Sequence, residues 1–161
     1  MIRNTLFSFF FFTGIVVISI LFLPSLMFPQ KIVLFGGKLF GYWSSFCLKF
    51  FLNTKINIKG KENIINDTKF FIASSHQSMF ETFFLQTIFN SPKFILKQEL
   101  LKIPIFGWYL SKIGSISVKR NKISKDNIDI IDKIKSAVIS SDRPIIIFPQ
   151  GTRVLPNERV P

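Results

Sequence analysis

Histidine and cysteine are nearly missing from this chain, which holds one of each in 161 residues. A lone Cys47 has no partner for an internal disulfide, so nothing in the sequence supports an oxidising compartment. One imidazole and one thiol cannot fill a tetrahedral zinc site, and no metal or other cofactor is expected. Acidic side chains are scarce as well, nine against 21 Lys and Arg, and the formal charge is +12. In an apolar chain that imbalance suits an anionic membrane face or phosphorylated substrates. No nucleic acid is expected as a partner, because the lysines are scattered and neither a zinc-finger nor a helix-turn-helix pattern occurs. There is no internal repeat and no low-complexity linker. A phosphate loop is excluded too, since Gly36-Gly37-Lys38 lacks the spacing and Leu39 stands where its hydroxyl belongs.

What the chain has in abundance is apolar surface. Hydrophobic residues make up 48% of it, 21 phenylalanines among them, more than one soluble core normally absorbs. No charge occurs from Asn4 through Gln30, and residues 6–23 read LFSFFFFTGIVVISILFL. Such a run predicts a transmembrane or deeply embedded helix. It is longer than the apolar centre of a signal peptide and lacks a small-x-small cleavage site, which favours a retained anchor. Residues 31–52 are again apolar but carry Lys31, Lys38 and Lys49, whose stems can snorkel, so an interfacial helix or the second arm of a hairpin is expected. The basic residues on the two sides of the first run nearly balance, leaving orientation open.

Past Asn53 the pattern changes, which divides the chain into a membrane-anchoring part, 1–53, and a folded domain, 54–161. Short β-prone runs at 54–60, 69–75, 92–97, 114–120 and 144–151 alternate with segments that can be helical. The clearest helix is 124–140, where Ser124 can cap, Asp126 suits the first turn, and Ile128, Ile131, Ile134 and Val138 recur near helical spacing. Strand and helix in alternation predict an α/β fold with a largely parallel sheet and flanking helices. The last strand-prone run ends close to Pro161, so a sheet of this kind is expected to lack its later elements here.

Chemistry-bearing residues gather at predicted strand ends, where open α/β sheets collect ligands. His76 directly follows the run KFFIASS. Five positions on, Glu81 completes Ser78-Met79-Phe80-Glu81, a capping box in which Ser78 would cap a helix starting at Met79. Glu81 therefore has two candidate jobs, partner in the cap or acceptor for one imidazole nitrogen, which would leave the other nitrogen as a base. A second cluster is IIIFPQGTR, 145–153, in which amides near Gly151, the Thr152 hydroxyl and the Arg153 guanidinium could cradle a phosphate. Lys119 and Arg120 close a third predicted strand, and Lys97 a fourth. A lipid hydrolase with Ser74, Ser75 or Ser78 as nucleophile is an alternative, although no G-x-S-x-G elbow is present. An inactive, membrane-bound module that binds lipid phosphates is another.

Together these motifs resemble those of the glycerolipid acyltransferases, in particular bacterial 1-acyl-sn-glycerol-3-phosphate acyltransferases. His76-Gln77-Ser78-Met79-Phe80-Glu81 is similar to their histidine, four residues, then an acidic one, with glutamate in place of the usual aspartate. Gly114-Ser115-Ile116-Ser117-Val118-Lys119-Arg120 resembles their second signature. Phe148-Pro149-Gln150-Gly151-Thr152-Arg153 resembles the third, with glutamine where the family has glutamate. Residues 97–110, KQELLKIPIFGWYL, share the family's look, and a fourth family motif would fall beyond Pro161. The resemblance implies acyl transfer from acyl-CoA or acyl carrier protein to the sn-2 hydroxyl of lysophosphatidic acid, forming phosphatidic acid without a cofactor. It implies His76 as base, Glu81 as its partner, and Arg120, Gly151, Thr152, Arg153 and Lys97 around the acceptor's phosphate. Membrane lipids would be partners, and the site would face the cytoplasm at a bacterial inner membrane.

Overall fold

Two long helices account for most of the apolar N-terminal third. The computed structural model describes residues 2–64, 70–118 and 124–153, and within the last of these the side chains of residues 124–130 and 133 fall outside the description. Helix α1 spans Ile2–Leu21, and after a 3-10 turn at Leu23–Met27 helix α2 spans Gln30–Leu52. Pro29 precedes α2, where a missing N–H matters little. Asn53 ends it in the left-handed region at φ 53°, a conformation that asparagine tolerates better than most residues.

The helices form a hairpin closed by aromatic packing. Phe10 stacks on Phe51 with centroids 5.0 Å apart, and the Arg3 guanidinium Nε donates to the Phe51 carbonyl at 2.9 Å. The Trp43 indole lies so close to Gly14 that a Cβ there would come within 2.0 Å of its Nε1. Only glycine lets the two backbones approach across that ring. The other side of α2 packs on the folded domain: a Cβ on Gly41 would fall 2.6 Å from the Phe83 carbonyl oxygen. Residues 31–52 are thus the second hairpin arm, packed against both α1 and the domain.

Within the domain the order is β1 Phe71–Ala73, α3 Phe80–Ile88, β2 Lys93–Lys97, α4 Phe106–Lys112, β3 Ile116–Val118, α5 Ser124–Ser140 and β4 Ile145–Ile147. The four described strands make one sheet in the order β1-β4-β2-β3, and every pair is parallel. Parallel strands joined by helices are covered on their faces and read as continuous apolar runs, as Ile145-Ile146-Ile147 does. β4 is internal, with Ile145 and Ile146 buried beside Phe94 and Ile95 of β2. The expected α/β fold with a largely parallel sheet and flanking helices, preceded by a hydrophobic hairpin, is what the chain adopts.

One expected strand is absent. Residues 54–60 are irregular and lead into a 3-10 turn at Lys61–Asn63. Alternating polarity suits a strand only where a ladder satisfies its backbone groups, and among the described residues no strand pairs with this segment. The capping serine, acidic first turn and Ile128 read into α5 lie outside the described side chains, although the helix itself runs over the expected residues.

A buried cation organises the amino-terminal edge of the sheet. Arg143, just before β4, donates to the carbonyls of Ser91 at 3.1 Å and Ile113 at 2.5 Å. It thereby ties the ends of α3 and α4 to the central strand. Asp142, 3.7 Å from both Arg143 Nε and Lys93 Nζ, supplies an exposed counter-charge.

Candidate active site

Because β1 and β4 are parallel neighbours, their carboxyl ends deliver two sequence-distant loops to one place. Ala73 is level with Ile147, and the Ser74 N–H extends the ladder by donating to the Ile147 carbonyl at 3.0 Å. Beyond this point the first loop carries Ser75 and His76. The second becomes a turn at Phe148–Gly151, closed by the Gly151 N–H donating to the Phe148 carbonyl at 2.9 Å. Gly151 has φ 62°, a left-handed value that glycine takes without steric cost. The two loops touch through His76 and Phe148, whose ring centroids are 4.4 Å apart at 31°. They touch again where the Gln150 amide nitrogen reaches the Ser75 hydroxyl at 3.4 Å.

His76 is half-buried in this corner, and its Nδ1 is enclosed without a hydrogen-bond partner. Its pKa lies below the ordinary imidazole value chiefly because burial disfavours the cation; the Glu81 carboxylate pulls it up and the Arg153 guanidinium pushes it down. An imidazole so placed is neutral at physiological pH and able to accept a proton.

Glu81 does not take the hydrogen bond from His76 that its spacing suggested. Its carboxylate accepts the backbone N–H of Gln77 at 2.8 Å, the N–H of Ser78 at 2.8 and 2.9 Å, and the Ser78 hydroxyl at 2.9 Å. Ser78 Oγ in turn accepts the Phe80 N–H at 3.1 Å. This is the expected capping box, with regular helix beginning at Phe80, one residue later than read. Glu81 acts on the imidazole through its charge alone.

Thr152 and Arg153 follow the turn and are exposed, with Arg153 close enough for its charge to act on His76. His76, Glu81, Gly151, Thr152 and Arg153 therefore share one corner. Lys97 ends β2, the strand on the other side of β4, so it stands on the same rim and is exposed. Among the described residues no hydrogen bond or ion pair joins it to His76. Arg120, with Lys119, lies outside the described residues. In the sequence Phe148 and Gln150 stand only as parts of a motif, and their contacts with His76 and Ser75 arise from a pairing of strands more than 70 residues apart, which no local pattern reveals.

The corner offers a half-buried imidazole base beside a guanidinium and a glycine turn. That combination can deprotonate a hydroxyl on a molecule whose anionic group is held a few ångströms away.

The Acyltransferase family model matches residues 55–161. A 1-acyl-sn-glycerol-3-phosphate acyltransferase of Pseudomonas aeruginosa is 35% identical over 100 residues, covering 62% of this chain and 38% of the relative. One from Saccharomyces cerevisiae is 30% identical over 112 residues, 69% of this chain and 36% of the relative. The crystal structure of the 1-acyl-sn-glycerophosphate acyltransferase PlsC of Thermotoga maritima superposes with a TM-score of 0.69 at 25% identity, over 95% of this chain and 63% of that one. The chain thus spans well under half the length of these two curated relatives.

Proposed function

This chain belongs to the acyltransferase family, and from that premise we propose that it moves a fatty acyl group from acyl-CoA or acyl carrier protein to the sn-2 hydroxyl of 1-acyl-glycerol-3-phosphate, forming phosphatidic acid. The observation that carries the reading is the contact of His76 with the turn that leads into Thr152 and Arg153, through the Phe148 ring at 4.4 Å. It supports a base and an anion grip serving the same small molecule. The curated relatives' names supply the substrate class.

In this reading His76 takes the proton of the acceptor hydroxyl as its oxygen attacks the thioester carbonyl. The C–O bond forms, the tetrahedral adduct collapses, the C–S bond breaks, and the imidazolium returns the proton to the departing thiolate. The products are an ester and a free thiol, and no covalent enzyme intermediate is required. Glu81 steadies the imidazolium across space. Arg153 and the Gly151-Thr152 turn, with Arg120 and Lys97, hold the acceptor's phosphate, and that remote binding energy aligns the hydroxyl. The Ser78 hydroxyl, engaged with Glu81 and the Phe80 N–H, is placed for capping rather than for nucleophilic attack.

Residues 1–53 serve as the membrane-associating part and 54–161 as the acyltransferase domain. α1 is long and apolar enough to cross a membrane, the one described helix that is. The domain is fastened to both arms of the hairpin, to α2 through α3 and to α1 through the Phe11–Phe83 rings and the Tyr109–Ser19 hydrogen bond, so in this reading it stays on one side of the bilayer with the hairpin as its anchor. In the proposal that side is the cytoplasmic face of a bacterial inner membrane, where soluble acyl thioesters are at hand.

The test is direct. Purified wild type and His76→Ala are given lysophosphatidate and a labelled acyl thioester, and phosphatidate is measured. A positioned general base contributes about 10² to 10⁴ in rate, so a loss in that range is expected for the variant. Equal turnover by both would overturn the assignment, and if Arg153→Ala then abolished lysophosphatidate binding, the chain would be a binding module.

A further inference from the structure

The acyl-transfer reading leaves unused a group of exposed apolar side chains around α4. This short helix is fastened to the hairpin. The Tyr109 hydroxyl donates to the Ser19 carbonyl near the end of α1 at 2.6 Å, and the Gln30 side chain at the start of α2 donates to the Lys112 carbonyl at 2.8 Å. With successive residues about 100° apart, Phe106 stands about 60° to one side of Tyr109 and Trp108 about 100° to the other. Gly107 points the opposite way, into the domain, where a Cβ would come 2.0 Å from the Leu101 carbonyl oxygen. The flanks of the hairpin-facing side are therefore Phe106 and Trp108, and both are open: Trp108 is 56% exposed, Phe106 41%, and Ile103 in the preceding turn 45%.

This surface adjoins one already given to lipid. Ser19, the anchor of Tyr109, is followed by Ile20 and Leu21, 55% and 70% exposed, and then by Met27 and Phe28 beyond the α1 end. Lysines bracket the α4 group in sequence, Lys102 before Phe106 and Lys112 at the helix end. Tryptophan beside snorkelling lysines is the composition of a membrane-water boundary, where the rings sit at headgroup level and the ammonium groups meet anionic lipid. The +12 charge of the chain acts in the same direction.

We propose that Ile103, Phe106 and Trp108 form a second lipid contact, carried by the acyltransferase domain itself, with Lys102 and Lys112 directed at anionic headgroups. The occupant is a bilayer surface. A contact on the domain added beside that of the hairpin broadens the footprint on the lipid and fixes the tilt of the domain, so the carboxyl rim of the sheet keeps one height above the lipid instead of swinging about the hairpin. This inference rests on membrane association but not on the identity of the reaction.

The chain has two tryptophans, Trp43 and Trp108, and the difference between wild type and Trp108→Phe isolates the signal of the second. Full-length protein is mixed with vesicles of phosphatidylethanolamine and phosphatidylglycerol, with and without brominated acyl chains. Trp108 emission should shift to the blue on binding and be quenched by the brominated lipid. A Phe106→Ser/Trp108→Ser double variant should partition about tenfold or more weakly, as expected for losing two large interfacial side chains, with its thermal unfolding unchanged. A vesicle-bound protein whose Trp108 is neither shifted nor quenched overturns the proposal, and so does a Trp108 signal that follows protein concentration without lipid, which would assign the patch to a second copy. If the double variant fails to fold, the Trp108→Phe difference still decides. Wild type that ignores vesicles overturns membrane association too, whereas a silent Trp108 in a bound, active enzyme overturns only the α4 contact.

Discussion

Replacing Ser78 by alanine separates the two ways in which this site could use a serine. The hydroxyl makes two bonds, accepting the Phe80 N–H at 3.1 Å and donating to Glu81 at 2.9 Å. Loss of an N-cap acceptor costs about 1 kcal/mol. Loss of the bond to an exposed carboxylate adds about 0.5 to 1 kcal/mol once solvent screening is allowed for. The sum, about 1.5 to 2 kcal/mol, should lower the Tm of a chain this long by about 3 to 8 °C. Glu81 itself should stay in place, because the N–H groups of Gln77 and Ser78 still hold it. Turnover measured well below the Tm should then fall by less than about tenfold, a second-order consequence of a softer cap. The assays are thermal unfolding in detergent followed by circular dichroism, and phosphatidate formation from lysophosphatidate and an acyl thioester. A loss of activity beyond about a thousandfold with the Tm unmoved is the signature of a missing nucleophile. That result would refute direct transfer to the acceptor hydroxyl and restore Ser78 as a nucleophile, with His76 then as its base.

Three further outcomes follow from the geometry. His76 must be neutral to act as a base, so kcat/KM should fall as pH drops through its lowered pKa. Glu81→Gln removes the charge that raises that pKa and should move the acidic limb to lower pH, whereas Arg153→Gln removes a charge that lowers it and should move the limb up; full pH profiles that shift in the same direction would contradict the placement. Gly41→Ala puts a Cβ 2.6 Å from the Phe83 carbonyl oxygen and should destabilise the α2 contact with α3 by about 1 to 3 kcal/mol, an ordinary overpacking cost, and an unchanged Tm would disprove the close approach. Arg143→Met removes two charge-assisted bonds from buried carbonyls and should cost about 3 to 5 kcal/mol in denaturant titration, yet spare turnover in the cold, because in a parallel sheet Arg143 lies at the edge opposite to His76.

Much of the fold was legible because its signals are local and repeated. The charge-free run that became α1 and the apolar strand 145–147 each announce burial or lipid by length and composition. The expected strand at 54–60 went unmade for a reason no local pattern carries: alternation states a preference, and a ladder partner must satisfy it. Arg143 was illegible on the same ground. An arginine between Asp142 and Pro144 reads as a turn on the surface, and only the meeting of the α3 and α4 ends around it makes it a buried clamp. Phe148 belongs with these, since its role depends on β4 inserting beside β1.

Glu81 shows where the spacing of residues stops short of chemistry. The interval from His76 fits an acceptor for the imidazole, and the interval from Ser78 fits a capping box, and both demands fall on one carboxylate. Glutamate has the reach to return to the N–H groups of Gln77 and Ser78, which would otherwise be unpaired at the helix start. Hydrogen bonds are exclusive and short in range, so satisfying the cap leaves His76 Nδ1 without a partner. Charge is neither exclusive nor so short in range, and the same carboxylate still favours the imidazolium from the cap. Orientation of the ring therefore falls to its tilted contact with Phe148, while the pull toward its charged form stays with Glu81. Two tasks that a single hydrogen bond could have performed together are carried here by an aromatic face that follows β4 and a capped helix that follows β1, which makes the candidate site dependent on the pairing of those strands.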